Sequence, residues 1–486
     1  MLDSNSTAAY ANFTGQFIDG KWIDGGAGDV LKVTNPYDDT LLSEIVMADV
    51  ADLNAAFSAA QRAQKTWQLT SPSHRAGLFL RARAIMEARR EEIISWLVKE
   101  SGSTRIKANI EFDAMYGGML EASGAAHHVA GRILPVSAPG KEARVYRKPV
   151  GVVGVISPWN FPLHLSNRSV APAIAVGNAV VLKPSSDTPI TGGLLLAKIY
   201  EEAGFPAGLL NVVIGKSSVI GDAFASHPVP RVISFTGSTA VGKRIASTAA
   251  ASTNLKRLGL ELGGNAPLVV LDDANLEAAV GAALIGRFMH QGQICMSTNR
   301  VIIDESVYGK FVEAYVEGAR ALKYGDPNAP DTMIGPLCND AQVRSVLASI
   351  EMAKSEGFTT ALTGDVQGRV VSPHVFSDVK NESAFAQNEI FGPVAPLICA
   401  QGEADALRMA NDTEYGLSSA VFTANEARGQ RFALACEVGM THINDITIAD
   451  YPHVMFGGEK NSGLGRFNGE WIIEEFTTDH LITVNI

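Results

Sequence analysis

A cysteine on a glycine-containing loop is the first residue whose surroundings could support chemistry. Cys295 lies in residues 290–297 (HQGQICMS), after a glycine break at the end of a long helical pattern. A lone cysteine is more often a small buried apolar side chain than a nucleophile. Loops on a rigid scaffold are nevertheless where catalytic side chains concentrate. Cys295 is therefore the candidate nucleophile, whereas Cys338, Cys399 and Cys436 lie on or near apolar segments, and Cys399 is expected in the core.

Two polar side chains follow strand-like segments and could act on such a nucleophile. Glu261 lies in the apolar run 258–262, before two glycines, where a carboxylate can project into a cleft. Burial would raise its pKa toward the range of a general base, while the alternative is a surface carboxylate at a turn. Asn160 lies between two prolines in residues 157–162 (SPWNFP), which hold its amide rigidly. A fixed amide donor suits an oxyanion, and the alternative is an asparagine that satisfies its own turn.

A glycine-containing segment, residues 235–244 (FTGSTAVGKR), follows a strand and opens a helix. Free backbone N–H groups at such a helix start bind phosphate. Gly237 and Gly242 have the spacing of a P-loop, but Arg244 occupies the place where that motif needs Ser or Thr to hold Mg²⁺. The G-x-G-x-x-G fingerprint is absent as well. Residues 235–244 are therefore interpreted either as an atypical dinucleotide site or as an ordinary glycine-containing turn.

The composition excludes several classes of protein. The chain has 486 residues, which suggests about three domains. It carries 40 Lys and Arg against 51 Asp and Glu and is 46% hydrophobic, so it is neither a disordered chain nor a good nucleic-acid binder. Four cysteines without a C-x-x-C pair exclude a disulfide scaffold and a zinc ribbon, and we expect no metal site.

The apolar runs also bear on where the protein works. No run approaches the roughly 20 residues that cross a bilayer, so we expect no membrane association. The polar start of the chain lacks the pattern of a secretory signal. We therefore expect a cytoplasmic protein with reduced thiols.

The elements that must position these residues alternate regularly. Helical patterns cover 50–67, 73–100 and 110–128, and a strand–turn–strand covers 16–22. Five strand-like runs follow with helices between them, at 152–156, 179–182, 210–214, 232–235 and 258–262. Such alternation is typical of βαβ units and predicts an α/β fold with a mostly parallel sheet. Parallel sheets bind ligands beyond the carboxyl ends of their strands, where Asn160, Gly237 and Glu261 all lie.

A second alternating series begins at the strand 268–271. We predict a helix capped by Asp272 and Asp273 that runs to about Gln291, and then strands and helices in turn. The strands are predicted at 301–303, 394–399, 420–423 and 441–444, and the helices at 311–322 and 342–356. The end of the chain, 477–486, has a strand pattern, and a terminal strand often pairs with another subunit.

Six motifs together make the chain resemble the NAD(P)-dependent aldehyde dehydrogenase superfamily over nearly its whole length. They are PWNFP (158–162), KPS (183–185), FTGS (235–238), ELGG (261–264), GQIC (292–295) and EIFGP (389–393). The strings at 291–297 and 442–444 are most similar to the vanillin- and benzaldehyde-dehydrogenase-like branch.

The resemblance implies a three-part architecture. A modified Rossmann cofactor domain would comprise residues 1–122 and 143–260, with a return segment near 453–470. An α/β catalytic domain would comprise 261–452. A small bridging β-element, 123–142 and 471–486, would mediate oligomerisation, since the family commonly forms dimers or dimers of dimers. We accordingly expect a homodimer or a homotetramer.

The resemblance also implies a mechanism. The Cys295 thiolate would attack the carbonyl of a small-molecule aldehyde, and the oxyanion would be held by the Asn160 amide and the Cys295 N–H. Hydride transfer to the nicotinamide would leave a thioester, and Glu261 would activate water to release the carboxylic acid.

A set of cofactor contacts follows from the same motifs. Gly237 and Ser238 would face the pyrophosphate, Lys183 the adenine-side ribose and Glu389 the nicotinamide-side ribose. Phe391 would pack beside the nicotinamide, and four further contacts would come from Ile156, Ser157, Trp159 and Leu262.

One position makes the choice between NAD and NADP open. Ser186 stands where many NAD-preferring members have a glutamate that repels a 2′-phosphate, so we expect use of both NAD and NADP. Asn265 stands where lysine is common, and we assign it no consequence.

The substrate pocket follows from the family pattern. Its predicted lining residues are His164, Leu165, Arg168, Ile294, Met296 and Tyr451. An apolar slot of this kind suits aromatic or medium-chain aliphatic aldehydes and discriminates weakly among them. Arg168 would meet a polar or anionic end of the substrate, unless it forms only a surface salt bridge.

Two other functions remain as alternatives. One is a coenzyme A-acylating dehydrogenase, in which a thiol replaces water at the thioester. Glu261 argues against it, because that branch generally lacks this base. The other is a non-catalytic binding or structural protein on the same scaffold, against which the presence of Cys295, Glu261 and Asn160 argues.

Overall fold

The computed structural model describes residues 8–486, so the start of the predicted range 1–122 lies partly outside the described residues. Strands and helices of the first half surround one large sheet. In chain order they are β1 (Gln16–Ile18), β2 (Lys21–Ile23), β3 (Val30–Thr34), β4 (Leu41–Val46), α1 (Val50–Trp67), α2 (Pro72–Ala88), α3 (Arg90–Ser101), α4 (Arg105–Ala125), β5 (Arg132–Pro135), β6 (Lys141–Pro149), β7 (Val152–Ile156), α5 (Pro162–Ala175), β8 (Ala179–Lys183), a π-helical turn (Ile190–Leu194), α6 (Leu195–Glu202), β9 (Leu210–Val212), a second π-helical turn (Ser217–Gly221), α7 (Asp222–Ser226), β10 (Val232–Thr236), α8 (Thr239–Ala250) and β11 (Arg257–Glu261).

The second half builds another sheet and then returns to the first. Its elements are β12 (Ala266–Val270), α9 (Leu276–Phe288), a 3₁₀ turn (Met289–Gly292), β13 (Thr298–Asp304), α10 (Tyr308–Ala321), α11 (Asp340–Ser355), β14 (Thr359–Leu362), β15 (Val366–Gln367), β16 (Val370–Val371), β17 (His374–Ser377), α12 (Ala384–Gln387), β18 (Val394–Ala400), α13 (Gly402–Asn411), β19 (Tyr415–Gly416), β20 (Ser418–Phe422), α14 (Glu426–Ala435), β21 (Met440–Ile443), β22 (Glu459–Lys460), β23 (Gly463–Leu464), α15 (Gly469–Glu475) and β24 (Thr477–Asn485).

The first sheet has the order β2-β1-β9-β8-β7-β10-β11-β23. Strands β7 to β11 are parallel, and antiparallel strands close both edges. Strand β7 runs through the centre with apolar residues buried on both faces, as a parallel strand covered by helices requires. The strand order reverses between β7 and β10, so a crevice opens beyond their carboxyl ends. Asn160 follows β7 and Gly237 follows β10 at this crevice.

The second sheet has the order β14-β17-β18-β13-β12-β20-β21, and its strands are parallel except for β14. The predicted strands at 301–303, 394–399, 420–423 and 441–444 all lie in it. Cys295 lies between α9 and β13 of this second half, on the side that faces the crevice of the first sheet.

The final strand β24 pairs antiparallel with β6 over nine residue pairs, and β5 completes a three-stranded sheet. The terminal strand that the sequence predicts is therefore confirmed, and its partner within the chain is β6. Several apolar side chains of this sheet are exposed: Ile133, Leu134, Tyr146, Leu481 and Ile482. None of the helices within residues 8–486 combines the length and apolar character needed to cross a bilayer.

Two predicted helices differ from the observed ones. The predicted helix 73–100 is interrupted at Arg89, whose φ of −110° and ψ of 18° leave the helical region, and whose side chain bonds Glu202. The predicted cap at Asp272 and Asp273 is wrong, because Asn275 caps α9 and the helix ends at Phe288. Asp273 instead accepts hydrogen bonds from Thr423 Oγ1 and Arg428, which are distant in sequence.

The expectation that Cys399 lies in the core is also wrong. Strand β18 is buried at its other positions, but Cys399 is exposed. Successive side chains of a strand point to opposite faces, so one apolar-looking position in a central strand can still face outward.

Candidate active site

The nucleophile candidate lies on a backbone in an uncommon conformation. His290, Gln291 and Gly292 are consecutive left-handed residues, with φ of 50°, 58° and 75°. Such residues usually occur singly, because the left-handed region costs roughly 1–2 kcal/mol for a residue with a Cβ. A Cβ on Gly292 would stand 2.3 Å from Arg287 Nη2, so only glycine fits there. These three left-handed residues reverse the direction of the chain after α9, so that Cys295 faces the crevice.

The surroundings of Cys295 keep its thiol protonated at neutral pH. Burial and, after it, the charge of Glu261 raise the pKa of the Cys295 thiol to about 12, while the charge of Arg168 opposes this shift. Attack by this sulfur therefore has to be coupled to the removal of its proton. Glu261 is the charged group with the largest effect on Cys295 and is the base candidate for that step.

Asn160 is buried and spans the two sides of the crevice. Its Nδ2 donates to the carbonyl oxygen of Gln293, 2.9 Å away, two residues before Cys295. An amide nitrogen carries two hydrogens, so one donor remains for an oxyanion formed at Cys295. The sequence predicts this role, and the hydrogen bond ties the donor to the loop that carries the nucleophile.

Glu261 ends β11 and is 1% exposed, so the alternative of a surface carboxylate is wrong. Neither carboxyl oxygen has a hydrogen-bond partner among the described residues. Burial raises the pKa of Glu261 to about 8; Arg168 lowers it and Asp450 raises it. A carboxyl that titrates near pH 8 and has no fixed partner is suited to exchange a proton with water.

Arg168 is buried rather than part of a surface salt bridge. It projects from α5 with its guanidinium 4.4 Å from the ring centroid of Phe456 and 5.0 Å from that of Phe467. Within residues 8–486, its buried Nε and Nη1 have no hydrogen-bond partner, and an Asp450 carboxylate oxygen is 4.0 Å from Nη1.

Asp450 is shared among several neighbours of Arg168. His164 Nε2 lies 3.3 Å from one of its oxygens, and Asn468 Nδ2 donates to the other at 2.8 Å. Burial alone would raise the pKa of Asp450, but these bonds and the charges of His164 and Arg168 lower it. Asp450 is therefore ionised, and no group in the described part of the chain accepts a hydrogen bond from Arg168 Nε or Nη1.

A cavity of about 580 Å³ lies between α4, α5, α15 and the loop at 452–453. Two of the six predicted pocket residues, His164 and Arg168, line it. Leu165, Ile294 and Met296 are buried outside its lining, and Tyr451 is half exposed. Cys295, Glu261 and Asn160 lie outside its lining, and Arg168 is the lining residue whose charge lowers the pKa of both Cys295 and Glu261.

The predicted nicotinamide-side residues lie together across the crevice. Glu389 Oε1 accepts from the Gly264 N–H at 2.9 Å, and a Cβ on Gly263 would stand 2.6 Å from Glu389 Oε2. Burial raises the pKa of Glu389 to about 7. The rings of Phe391 and Trp159 meet edge to face, with centroids 5.5 Å apart.

The predicted phosphate and adenine-side residues lie at the carboxyl ends of β10, β7 and β8. Ser238 is the N-cap of α8, yet its side chain makes no capping bond, which leaves the first N–H groups of that helix for a ligand. The Gly237 N–H donates to the Glu261 backbone carbonyl oxygen at 2.9 Å. Burial lowers the pKa of Lys183 to about 8, and its Nζ donates to Ser217 Oγ at 3.2 Å.

The remaining predicted cofactor residues frame the same edge. Ile156 ends β7, and the Ser157 N–H donates to the Lys183 carbonyl at 3.2 Å. A Cβ on Gly242 would stand 2.4 Å from Leu262 Cδ2, so Leu262 packs against α8. Ser186 is half-buried beyond Lys183. An uncapped helix start, a buried lysine and a buried glutamate along one sheet edge fit the phosphate and ribose groups of a dinucleotide.

Sequence reasoning did not single out Arg287, which is fully buried and joins the two sides of the site. It donates to the carbonyl oxygens of Gly292 and Ile390, at 3.1 and 2.9 Å, and to Asn299 Oδ1 at 2.9 Å. It thereby links the Cys295 loop to the segment that carries Glu389. A charged residue within the apolar stretch 284–288 was the available signal.

The chain is similar to known proteins over nearly its whole length. Residues 22–482 match the model of the aldehyde dehydrogenase family. The chain is 52% identical to a vanillin dehydrogenase of Corynebacterium glutamicum, over 98% of this chain and 99% of that protein. It is 48% identical to a benzaldehyde dehydrogenase of Bacillus subtilis, over 98% of both chains.

A solved structure shows the same architecture. The crystal structure of an NAD-dependent benzaldehyde dehydrogenase from Corynebacterium glutamicum superposes with a TM-score of 0.92, at 48% identity, over 99% of this chain and 98% of that chain. The α/β fold with a Rossmann-like cofactor domain and a catalytic domain is thus confirmed. The chain belongs to the aldehyde dehydrogenase family and is an enzyme that oxidises aldehydes with a nicotinamide cofactor.

Proposed function

We propose that this enzyme oxidises aromatic aldehydes to carboxylic acids, with Cys295 as nucleophile, Asn160 as oxyanion donor and Glu261 as general base. The observation that carries the proposal is the state of Glu261. It is buried without a hydrogen-bond partner in the part of the chain that the structure describes, its pKa is raised to about 8, and its charge acts on the Cys295 thiol.

The first half-reaction forms the thioester. Glu261 takes the thiol proton as the Cys295 sulfur bonds to the carbonyl carbon, and the Asn160 amide and the Cys295 N–H hold the resulting oxyanion. The bound nicotinamide supplies a hydride acceptor. The carbonyl re-forms as the hydride leaves, so the sulfur then carries an acyl group.

The second half-reaction releases the acid. Glu261 releases the thiol proton to solvent and then removes a proton from water, the water oxygen bonds to the acyl carbon, and the carbon–sulfur bond breaks. The carboxylic acid leaves and Cys295 recovers its proton. A base at this position favours hydrolysis over transfer of the acyl group to coenzyme A.

The substrate class follows from the cavity and from the relatives. Both relatives described above are named for aromatic aldehydes, vanillin and benzaldehyde. A cavity of about 580 Å³ has room for a substituted ring. Arg168 lines this cavity and is positively charged, so a ring that carries an oxygen substituent would gain a charge-assisted hydrogen bond to its guanidinium.

We propose that both NAD and NADP are used. Lys183 and the uncapped start of α8 support binding of either dinucleotide, and Ser186 adds no negative charge that would repel a 2′-phosphate. The NAD-dependent relative supports NAD.

We further propose assembly as a homodimer or homotetramer through the sheet β5-β6-β24. Exposed apolar side chains on this sheet support it: Ile133 is 69% exposed and Leu481 is 60% exposed. The proposal keeps the cytoplasmic location that the sequence predicts, because the Cys295 thiol has to stay reduced. Light scattering of the wild-type protein and of Leu481→Asp tests the assembly, and a wild-type monomer would contradict it.

A panel of aldehydes tests the activity by the absorbance of the reduced nicotinamide. We expect benzaldehyde and its hydroxylated derivatives to be oxidised to the acids, and Cys295→Ala to abolish turnover while cofactor binding persists. Turnover by Cys295→Ala would remove Cys295 from the role of nucleophile. An acyl-coenzyme A product in place of the acid, when coenzyme A is present, would favour the acylating alternative.

A further inference from the structure

A fully buried ion pair lies behind the oxyanion donor and takes no part in the mechanism above. Lys107 and Glu111 face each other one turn apart on α4, and both side chains have no exposed surface. Lys107 Nζ donates to Glu111 Oε2 and also to Ser103 Oγ, at 2.9 Å for the latter. An ion pair without solvent costs much desolvation free energy, and its contribution to stability is small or unfavourable.

The other oxygen of Glu111 is committed to the start of α5. Oε1 accepts the N–H groups of Leu163, at 2.9 Å, and of His164, at 3.2 Å. The N-cap residue of α5, Phe161, provides no side-chain cap, and Pro162 has no N–H to satisfy. Glu111 therefore satisfies the free donors of the first turn and places a negative charge at the helix start.

The start of α5 is where Asn160 lies. Lys107 Nζ is 4.2 Å from the ring centroid of Phe161, the residue between Asn160 and the helix. The His290 ring also meets the Phe161 ring edge to face, with centroids 5.5 Å apart. The ion pair thus holds the helix start by hydrogen bonds and the preceding aromatic ring by its cation.

The same region of the chain also holds the loop that carries Cys295. Gly102 and Ser103 form the corner between α3 and α4, and Ser103 accepts the Lys107 bond. Gln291 Nε2, in the left-handed stretch before Cys295, donates to the Gly102 carbonyl at 3.2 Å and to the Pro336 carbonyl at 2.7 Å. One corner is therefore connected both to the oxyanion donor and to the nucleophile loop.

We propose that Lys107 and Glu111 are positioning residues that set the Asn160 amide relative to Cys295 and thereby speed formation of the acyl-enzyme. They act through Asn160 and touch neither substrate nor cofactor. An oxyanion donor gains its effect from a fixed position, and small displacements cost large factors in rate. This inference rests on the proposed role of Asn160.

A double-mutant cycle separates positioning from stability. The variants Lys107→Met and Glu111→Gln are each made in the wild-type protein and in Asn160→Ala, and single-turnover formation of reduced nicotinamide is followed with saturating NAD and benzaldehyde. We expect at least a tenfold fall in the rate in the wild-type background, with the Kd of NAD within threefold. In the Asn160→Ala background we expect a further change below twofold, because the residue that they position is gone.

Glu100→Gln is the matched control. Glu100 is likewise a buried carboxylate that accepts backbone N–H groups, but these belong to Ile190 and Thr191 of the π-helical turn rather than to the start of α5. We expect it to lower Tm without a tenfold loss in acyl-enzyme formation. If Glu100→Gln and Glu111→Gln slow acyl-enzyme formation equally, the ion pair has only a structural role and the proposal is overturned.

The remaining outcomes are also decisive. The full tenfold loss in the Asn160→Ala background would show that the pair acts elsewhere and would overturn the proposal. Should Glu111→Gln fail to fold because Lys107 is left buried and unpaired, the uncharged double variant Lys107→Met/Glu111→Gln runs the same cycle. If Asn160→Ala itself forms the acyl-enzyme at the wild-type rate, the proposed role of Asn160 as oxyanion donor is wrong. This result is distinct from a failure of the positioning role of Lys107 and Glu111.

Discussion

The backbone of Gly264 lies against the carbonyl group of Cys295: a Cβ at position 264 would stand 2.2 Å from the Cys295 oxygen. Gly264 also donates its N–H to Glu389 at 2.9 Å. Gly264 thus contacts both the backbone of Cys295, the proposed nucleophile, and the side chain of Glu389, which is proposed to bind the nicotinamide-side ribose. The close approach couples the end of β11 to the Cys295 loop, and no side chain fits between them.

We expect Gly264→Ala to lower kcat/KM by about 100-fold, because the clash is with backbone and cannot be relieved by a side-chain rotation. Gly281→Ala in α9 is the control, since a Cβ there meets nothing within 4 Å and alanine favours a helix by ~1 kcal/mol. Steady-state kinetics of both variants checks this. A Gly264→Ala enzyme as active as the control would show that the loop tolerates the displacement.

Glu261→Gln should slow both formation of the acyl-enzyme and its hydrolysis, because Glu261 is the proposed base for the Cys295 thiol and for water. In the wild type, the hydrolytic rate should rise with pH and level off above about pH 8, since the base works only when ionised and its pKa is raised to about 8. The glutamine cannot accept the water proton, so the steady-state rate should fall by roughly 10²-fold or more and lose this pH dependence. Stopped-flow absorbance separates the first turnover from later ones. A retained rise toward pH 8 in Glu261→Gln would assign it to another group.

The same carboxyl should make stability depend on pH. Its pKa is about 8 in the folded protein and near 4.5 when unfolded, so the folded state holds a proton that the unfolded chain releases between these values. The free energy of unfolding therefore contains a contribution that is fully present below pH 4.5 and is lost as the pH rises to about 8. Denaturant titrations at pH 6 and pH 9 should show a smaller decrease for Glu261→Gln than for wild type; equal decreases would contradict this assignment.

Arg168→Met should lower kcat/KM for a hydroxylated benzaldehyde more than kcat/KM for benzaldehyde. A hydrogen bond to a charged group contributes about 1.5–3 kcal/mol, so kcat/KM for 4-hydroxybenzaldehyde should fall roughly 10-fold or more relative to benzaldehyde. The pH profile should also move upward for both substrates, because Arg168 lowers the pKa of Glu261. Arg62→Met, which removes an exposed partner of Asp19, is the control. An unchanged substrate ratio would remove Arg168 from substrate recognition.

Ser186→Glu should convert dual cofactor use into a preference for NAD. A carboxylate beside Lys183 would repel the 2′-phosphate of NADP, so we expect kcat/KM with NADP to fall at least tenfold and that with NAD to change by less than threefold. Parallel kinetics with both cofactors checks it. A wild-type preference of several hundredfold for NAD would already contradict dual use.

Much of the fold follows from local patterns in the sequence. The strand at 152–156 and the terminal strand are where the apolar periodicity predicts them, because a parallel strand buried on both faces and an alternating terminal strand have local signatures. The capping of α9 was mispredicted because Asp272, Asp273 and Asn275 are all good caps locally. The choice fell to Asn275, since Thr423 and Arg428 engage Asp273 from another part of the chain.

The sequence by itself determined the family and the predicted chemical groups, because Cys295, Glu261 and Asn160 occur within short motifs that chain spacing can identify. Only the tertiary structure brought Arg168 to Asp450 and Glu111 to the start of α5. These contacts join residues that are 282 and 52 positions apart, and their effects on burial and charge arise from packing. A pKa near 8 for Glu261 is likewise a property of its surroundings, since the free side chain titrates near 4.5.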